Sequence, residues 1–130
     1  MPPPRLTFTA RHRLTQALEF RAAYDNKVSR ARAPLVIFGR LNGTPLPRLG
    51  LSVPRRVGNA VTRNRVKRRL REAFRLHQSK LPPGVDLVVN VRPHAPLTVA
   101  EYATRLIDAA ASLAKELHRR APARPQGAAE

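Results

Sequence analysis

One uninterrupted basic run, RVGNAVTRNRVKRRLREAFR from Arg56 to Arg75, constrains this chain more than any other stretch. Its spacing predicts a single helix entered through Gly58, with Asn59 as the N-cap whose side-chain oxygen accepts an orphan backbone N–H. No Pro or Gly interrupts the pattern between Ala60 and Pro82. Val66, Leu70, Ala73 and Phe74 recur at helical spacing and form one apolar stripe. On a helical wheel Asn64, Lys67, Arg68, Arg71 and Arg75 gather on the opposite side, with Arg65, Arg69 and Glu72 between. A merely solvated face would mix signs to gain i,i+4 pairs. Here Glu72 is the sole acid, within reach of Arg68 or Arg69, and the remaining cations repel one another. A polyanion relieves that repulsion.

The whole chain points the same way. Its 130 residues carry 25 Lys+Arg against 8 Asp+Glu, a formal net charge of +17. That is enough chain for one domain with a modest core, and the charge favours nucleic acid as partner. No stretch combines bulky apolar and aromatic residues with a basic face as membrane-surface helices do. No run of about 20 apolar residues spans a bilayer. The N-terminus lacks an apolar signal core, so a cytoplasmic protein is expected. The absence of Cys removes disulfides and thiolate metal sites.

Residues 1–4, with three consecutive prolines, read as a flexible arm. A single domain is expected over 5–118, followed by a Pro- and Ala-rich disordered tail over 119–130. Thr15 is positioned to cap a helix running to about Tyr24, with Leu18, Phe20, Ala22 and Tyr24 as its apolar positions. Leu35 to Leu41 reads as a strand. Alternation puts Leu35, Ile37 and Leu41 on one face and Val36, Phe38 and Arg40 on the other. The turn at Asn42-Gly43, lengthened by Pro45 and Pro47, predicts an antiparallel return over Arg48 to Val53. That strand should bury Leu49, Leu51 and Val53 and turn Arg48, Gly50 and Ser52 outward. Val85 to Arg92 is nearly continuously apolar, which suggests an interior strand. Thr98 and Glu101 form a capping box for a last helix. Its buried stripe is Tyr102, Leu106, Ala109, Ala110, Leu113 and Leu117, and it should end near His118.

No catalytic constellation stands out. The acids are scattered, His12, His77, His94 and His118 lack zinc-ligand spacing, and there is no phosphate loop or nucleophile elbow. The chain reads as a binder. Phe74 belongs to the helix stripe, and Phe8 is assigned to a core by default. Phe38 falls opposite the buried strand face, where an aromatic beside arginines can stack a single-stranded base. Equally, the first helix can cover it, making Phe20, Tyr24 and Phe38 a small core cluster.

The string GLSVPRRVGNAVTRNRVKRRLREAFR, Gly50 to Arg75, resembles the signature of the bacterial ribonuclease P protein subunit. The resemblance extends to the aromatic pair Phe20 and Tyr24, the strand aromatic Phe38 and the L-T-x-x-E start of the last helix, and covers roughly residues 5 to 118. It implies an α/β (α+β) sandwich like the second domain of a small-subunit ribosomal protein. About three helices pack a central mixed sheet, whose parallel pair is joined by a left-handed βαβ crossover, against the usual rule. It further implies a protein that joins a catalytic RNA to remove the 5′ leader of precursor tRNA, with the RNA and its Mg²⁺ ions performing the hydrolysis. Carried over by position, Arg63, Asn64, Arg65, Lys67, Arg68 and Arg69, with Arg71 by its place on the wheel, would meet the RNA subunit, with Mg²⁺ ordering near Asn64. Phe20, Tyr24 and Phe38 would line the cleft for the single-stranded leader, with Arg48 and Ser52 on the same face by alternation. A ribosomal or general RNA-binding protein would share the size and charge. A helix-turn-helix DNA binder would need a helix where Pro45, Pro47 and Pro54 stand.

Overall fold

A computed structural model of the chain describes residues 10–14 and 17–120. The expected arm over residues 1–4, Phe8, the cap at Thr15, the side chain of Leu18 and residues 121–130 lie outside the described residues. The elements follow in the order α1 (Ala17–Asp25), β1 (Ser29–Arg32), β2 (Leu35–Leu41), β3 (Arg48–Ser52), α2 (Ala60–His77), β4 (Val85–Val91) and α3 (Val99–Arg120). Single 3₁₀ turns sit at Ala10–His12, Arg55–Val57 and Gln78–Lys80.

The four strands form one mixed sheet in the order β1-β2-β4-β3. β4 pairs antiparallel with β2, Phe38 opposite Val88, and parallel with β3, Gly50 opposite Val88. The run Val85–Val89 is buried throughout, which is why β4 takes the interior place its sequence predicts. β3 does run antiparallel to β2, but the two do not pair, because β4 lies between them. The proline-lengthened connection from Asn42 to Pro47 is long enough for the chain to step over a strand position. The helix α2 then forms the crossover between the parallel neighbours β3 and β4.

α2 and α3 cover one face of the sheet. Val66, Leu70, Ala73 and Phe74 from α2 and Tyr102, Leu106, Ala109, Ala110, Leu113 and Leu117 from α3 are buried in one cluster with Leu35, Ile37, Leu49, Leu87 and Val89. Both predicted helical stripes are thus core. Leu41 keeps its place in the alternation of β2 but lies at the strand's open end and is 39% exposed. Leu51 and Val53 are only partly buried against the same cluster. The capping box forms as read, with Thr98 N–H donating to Glu101 Oε1 (2.9 Å) and Glu101 N–H to Thr98 Oγ1 (3.1 Å). α3 continues to Arg120, two residues beyond the expected end.

Nothing in the apolar pattern marks Ser29–Arg32 as a strand. It is held by charge: Arg30 pairs with Glu116 at 2.7 Å and donates from Nε to Ser112 Oγ at 2.7 Å, and Arg32 pairs with Asp108. An edge strand with cations pinned to an underlying helix also discourages pairing with other chains.

The other sheet face carries a smaller cluster. Leu14, Ala23 and Val88 are buried, with Phe20, Tyr24 and Phe38 half-buried against them. Gly50 belongs here and is buried, although alternation turns it away from the main core. A Cβ at Gly50 would stand 2.7 Å from Phe20 Cζ and 3.0 Å from Leu14 Cβ, so the Phe20 ring rests on a bare strand. Gly50→Ala should lower stability by about 1–3 kcal/mol through overpacking, measured as a shifted urea midpoint at unchanged m-value.

Candidate nucleic-acid interface

The entry of α2 is built as its sequence predicts. Asn59 Oδ1 accepts from Thr62 N–H at 2.8 Å. A Cβ at Gly58 would lie 2.9 Å from the Thr62 side chain, so glycine lets the chain turn tightly into the cap. From there the helix divides its cations by surroundings. Asn64, Arg65 and Arg68 are exposed, and none of Asn64, Arg65, Lys67 and Arg68 has a hydrogen-bond or ion-pair partner among the described residues. Arg63 Nε donates to Gly58 O at 3.2 Å. Arg69 Nη1 donates to Leu97 O at 2.8 Å and ties the helix to the loop before α3. Glu72 pairs with Arg75, not with Arg68 or Arg69, and that bond lowers the Glu72 pKa.

Arg71 sits on the flank towards the N-terminal segment. Burial first, then the nearby charge of Arg13, lowers its pKa. Arg13 is brought there because residues 13–14 run alongside β3, with Leu14 N–H donating to Leu49 O at 2.9 Å. In the same segment His12 is buried with its ring edge-on to Phe74, 5.9 Å between centroids. Wheel geometry does not reveal that Arg13 extends the cationic face, because the contact is made across the sheet edge.

Phe20, Tyr24 and Phe38 do come together. Tyr24 and Phe38 meet edge to face at 4.9 Å, and the Tyr24 hydroxyl donates to Asn90 Oδ1 at 2.8 Å. Each ring stays partly exposed, so the cluster is a small core between α1 and the sheet that leaves an aromatic surface open to solvent, the candidate cleft. Ser52 lies at the end of this face, where it lines a cavity of about 230 Å³ with Arg56, Asn90 and Arg92. Arg92, expected as the last residue of a strand from Val85, lies one residue past β4, and Arg56 lies in the 3₁₀ turn after β3.

Arg48 faces the same side but is not a free cation. Its Nε and Nη2 donate to Asp86 Oδ1 and Oδ2 at 2.7 and 2.9 Å. Asp86 is fully buried and also accepts from Arg40 Nε (3.0 Å) and Asn42 Nδ2 (2.8 Å). Adjacent strands supply Arg40, Asp86 and Arg48 at one register level, which sequence order conceals.

For a divalent ion the α2 face offers little. Its one carboxylate is paired with Arg75, and Asn64 contributes a single amide oxygen amid cations. Among the described residues no three His, Asp or Glu side chains converge. These residues do not fit a Mg²⁺ site held by the protein alone. Among the described residues no helix is long and apolar enough to cross a membrane.

The ribonuclease P family model matches residues 8–114, which takes in the whole sheet, α2 and the cleft. The chain belongs to the ribonuclease P protein family. The ribonuclease P protein component of Exiguobacterium sibiricum is 38% identical over 97 residues, covering 73% of this chain and 84% of that one. That of Brevibacillus brevis is 41% identical over 83 residues, 63% of this chain, and the match spans just under two-thirds of the relative, 66%. Among solved structures, the Staphylococcus aureus RNase P protein superposes with a TM-score of 0.68 at 31% identity, covering 80% of this chain and 95% of that one. The Thermotoga maritima RNase P protein gives 0.67 at 30% identity, covering 74% and 92%. In this ribonuclease P family chain, Asp86 is the electrostatic keystone of the cleft floor. Asp86→Ala should destabilise the fold by about 3 kcal/mol, because two partly buried guanidinium groups lose their counter-charge; a denaturation midpoint within error of wild type would refute that role.

Proposed function

We propose that the chain is the protein subunit of ribonuclease P, binding the catalytic RNA through α2 and the single-stranded 5′ leader of precursor tRNA in the aromatic cleft. The observation that carries this reading is the group Asn64, Lys67 and Arg68 on one helix face with Arg65 beside it, none with a partner among the described residues, in a ribonuclease P family fold. On this reading the RNA subunit and its Mg²⁺ ions break the phosphodiester bond and release the leader, and the protein lends neither nucleophile nor base. The proposed setting is the cytoplasm.

The physical logic is electrostatic with a local reader. Cations on α2 neutralise RNA phosphates and release counterions, so affinity should fall steeply with salt, by several log–log units if about 6–10 contacts form. Leader bases stack in the cleft on Phe38 and its neighbours, a sequence-tolerant interaction. The Tyr24 hydroxyl, already held by Asn90, fixes the ring wall in place rather than reading a base.

Cleavage of a 5′-extended precursor tRNA at low Mg²⁺ tests the whole reading. Strong stimulation at the mature 5′ end is expected only when this protein and a bacterial ribonuclease P RNA are both present. Cleavage by the protein alone would overturn the non-catalytic role, and tight RNA binding without stimulation would favour a ribosomal or general RNA-binding protein. Converting Arg68 and Arg71 to Glu should weaken RNA-subunit binding and reduce the salt slope by about two. Phe38→Ala should cost about 1–3 kcal/mol in precursor binding while leaving mature tRNA binding nearly unchanged; equal losses for both ligands would make Phe38 purely structural.

A further inference from the structure

A cavity of about 340 Å³ opens where the ends of α1, β2 and α3 meet. Asn26, Arg40, Leu41, Leu117 and Arg120 are among the residues that line it. It lies outside the cavity at Ser52 and shares no residue with it. Two of its walls, Leu117 and Arg120, come from the last turn of α3, beyond residue 114 where the family match ends.

Its electrostatics are unbalanced by construction. Asp86 is shared by Arg40 and Arg48, and Glu116 is shared by Arg30 and Arg120. Of these groups only Arg40 and Arg120 are among the residues that line the cavity, and no acid is. The donors are also incompletely used. Arg40 engages Asp86 through Nε, and Arg120 engages Glu116 through Nη1 at 3.2 Å. The remaining N–H groups of both forks have no partner among the described residues. Such forks suit the oxygens of a phosphate. The basic residues His118, Arg119 and Arg120 offset the negative end of the α3 dipole that would otherwise repel an anion. Arg40 is also the next residue after Phe38 on the same face of β2, so a strand lying on the aromatic wall has a direct path to it.

We propose that this pocket holds a backbone phosphate of an RNA strand, gripped between Arg40 and Arg120. The proposal rests on the reading of the chain as an RNA-binding subunit. Two strands carry that chemistry, the leader continuing past Phe38 and the RNA subunit itself, and the test separates them. Affinity would be measured as a function of salt for wild type, Arg120→Gln and Glu116→Gln. The ligands are the RNA subunit alone and, with the reconstituted holoenzyme, precursors whose leader either ends within the cleft or extends beyond it.

Arg120→Gln should reduce the salt slope by about one and weaken binding severalfold. Loss confined to the long-leader precursor assigns the phosphate to the leader, and loss with the RNA subunit alone assigns it to that RNA. Glu116→Gln, which removes the carboxylate from both Arg30 and Arg120 but keeps both guanidinium groups, should bind as well as wild type or more tightly. Unchanged binding in Arg120→Gln, or equal loss in both variants, would overturn the site. Failure of the wild-type protein to bind either RNA would instead remove the functional reading on which it rests.

Discussion

The structure depends on a strand that is apolar on both sides. β4 presents Leu87 and Val89 to one layer and Val88 to the other, so the sheet cannot rest with one face in water. Helices must cover both. The two that cover the main face are long, 18 and 22 residues, about 27 and 33 Å. The described helix on the opposite face has nine residues, about 13 Å. It is too short to seal that side. Part of the second face is left uncovered by α1, and Phe20 and Tyr24 of α1 and Phe38 of β2 stay only partly buried there.

A second regularity is where the acids stand. Asp86 is in β4, Asp108 and Glu116 are on α3, and each holds arginines of the sheet. These pairs join elements, β1 to α3 and β2 to β3 through β4. On α2 the only acid is Glu72, turned to Arg75 near the helix end. Acid placement thus stitches the sheet while the amino-terminal half of α2 stays cationic. The fold tolerates that repulsion because the opposite stripe of α2 is fully buried, with Val66, Leu70 and Phe74 at 0% exposure.

Much of this was legible in the residues. Helical spacing predicted the buried stripes of α2 and α3, and the cap residues Asn59, Thr98 and Glu101 act as their types require. The interior place of β4 followed from its continuous apolar run. What escaped is what depends on distant partners. β1 has no apolar period; it pairs with β2, and its arginines are pinned by Glu116, Ser112 and Asp108, more than 70 residues away. The antiparallel direction of β3 was readable from its turn, but its neighbour was not, since pairing is decided by which strand needs burial on both faces. Arg48 was assigned to the cleft face and lies there, yet its charge is engaged by Asp86, a pairing set by sheet register. Alternation likewise located Gly50 on the cleft face without revealing that Phe20 needs the missing Cβ.

The contact of Arg69 with the carbonyl of Leu97 has a mechanical consequence. It fastens α2 to the loop that Tyr102 and His94 brace, with His94 Nε2 and the Tyr102 hydroxyl 2.6 Å apart. The basic helix is therefore clamped at its flank as well as along its buried stripe, and cannot roll without disturbing the start of α3. The backbone positions that carry its cations form a fixed ruler, from which the exposed side chains reach out. A change of volume beneath Leu70 would be transmitted to the spacing of that ruler, so an interior substitution can present itself as a surface defect.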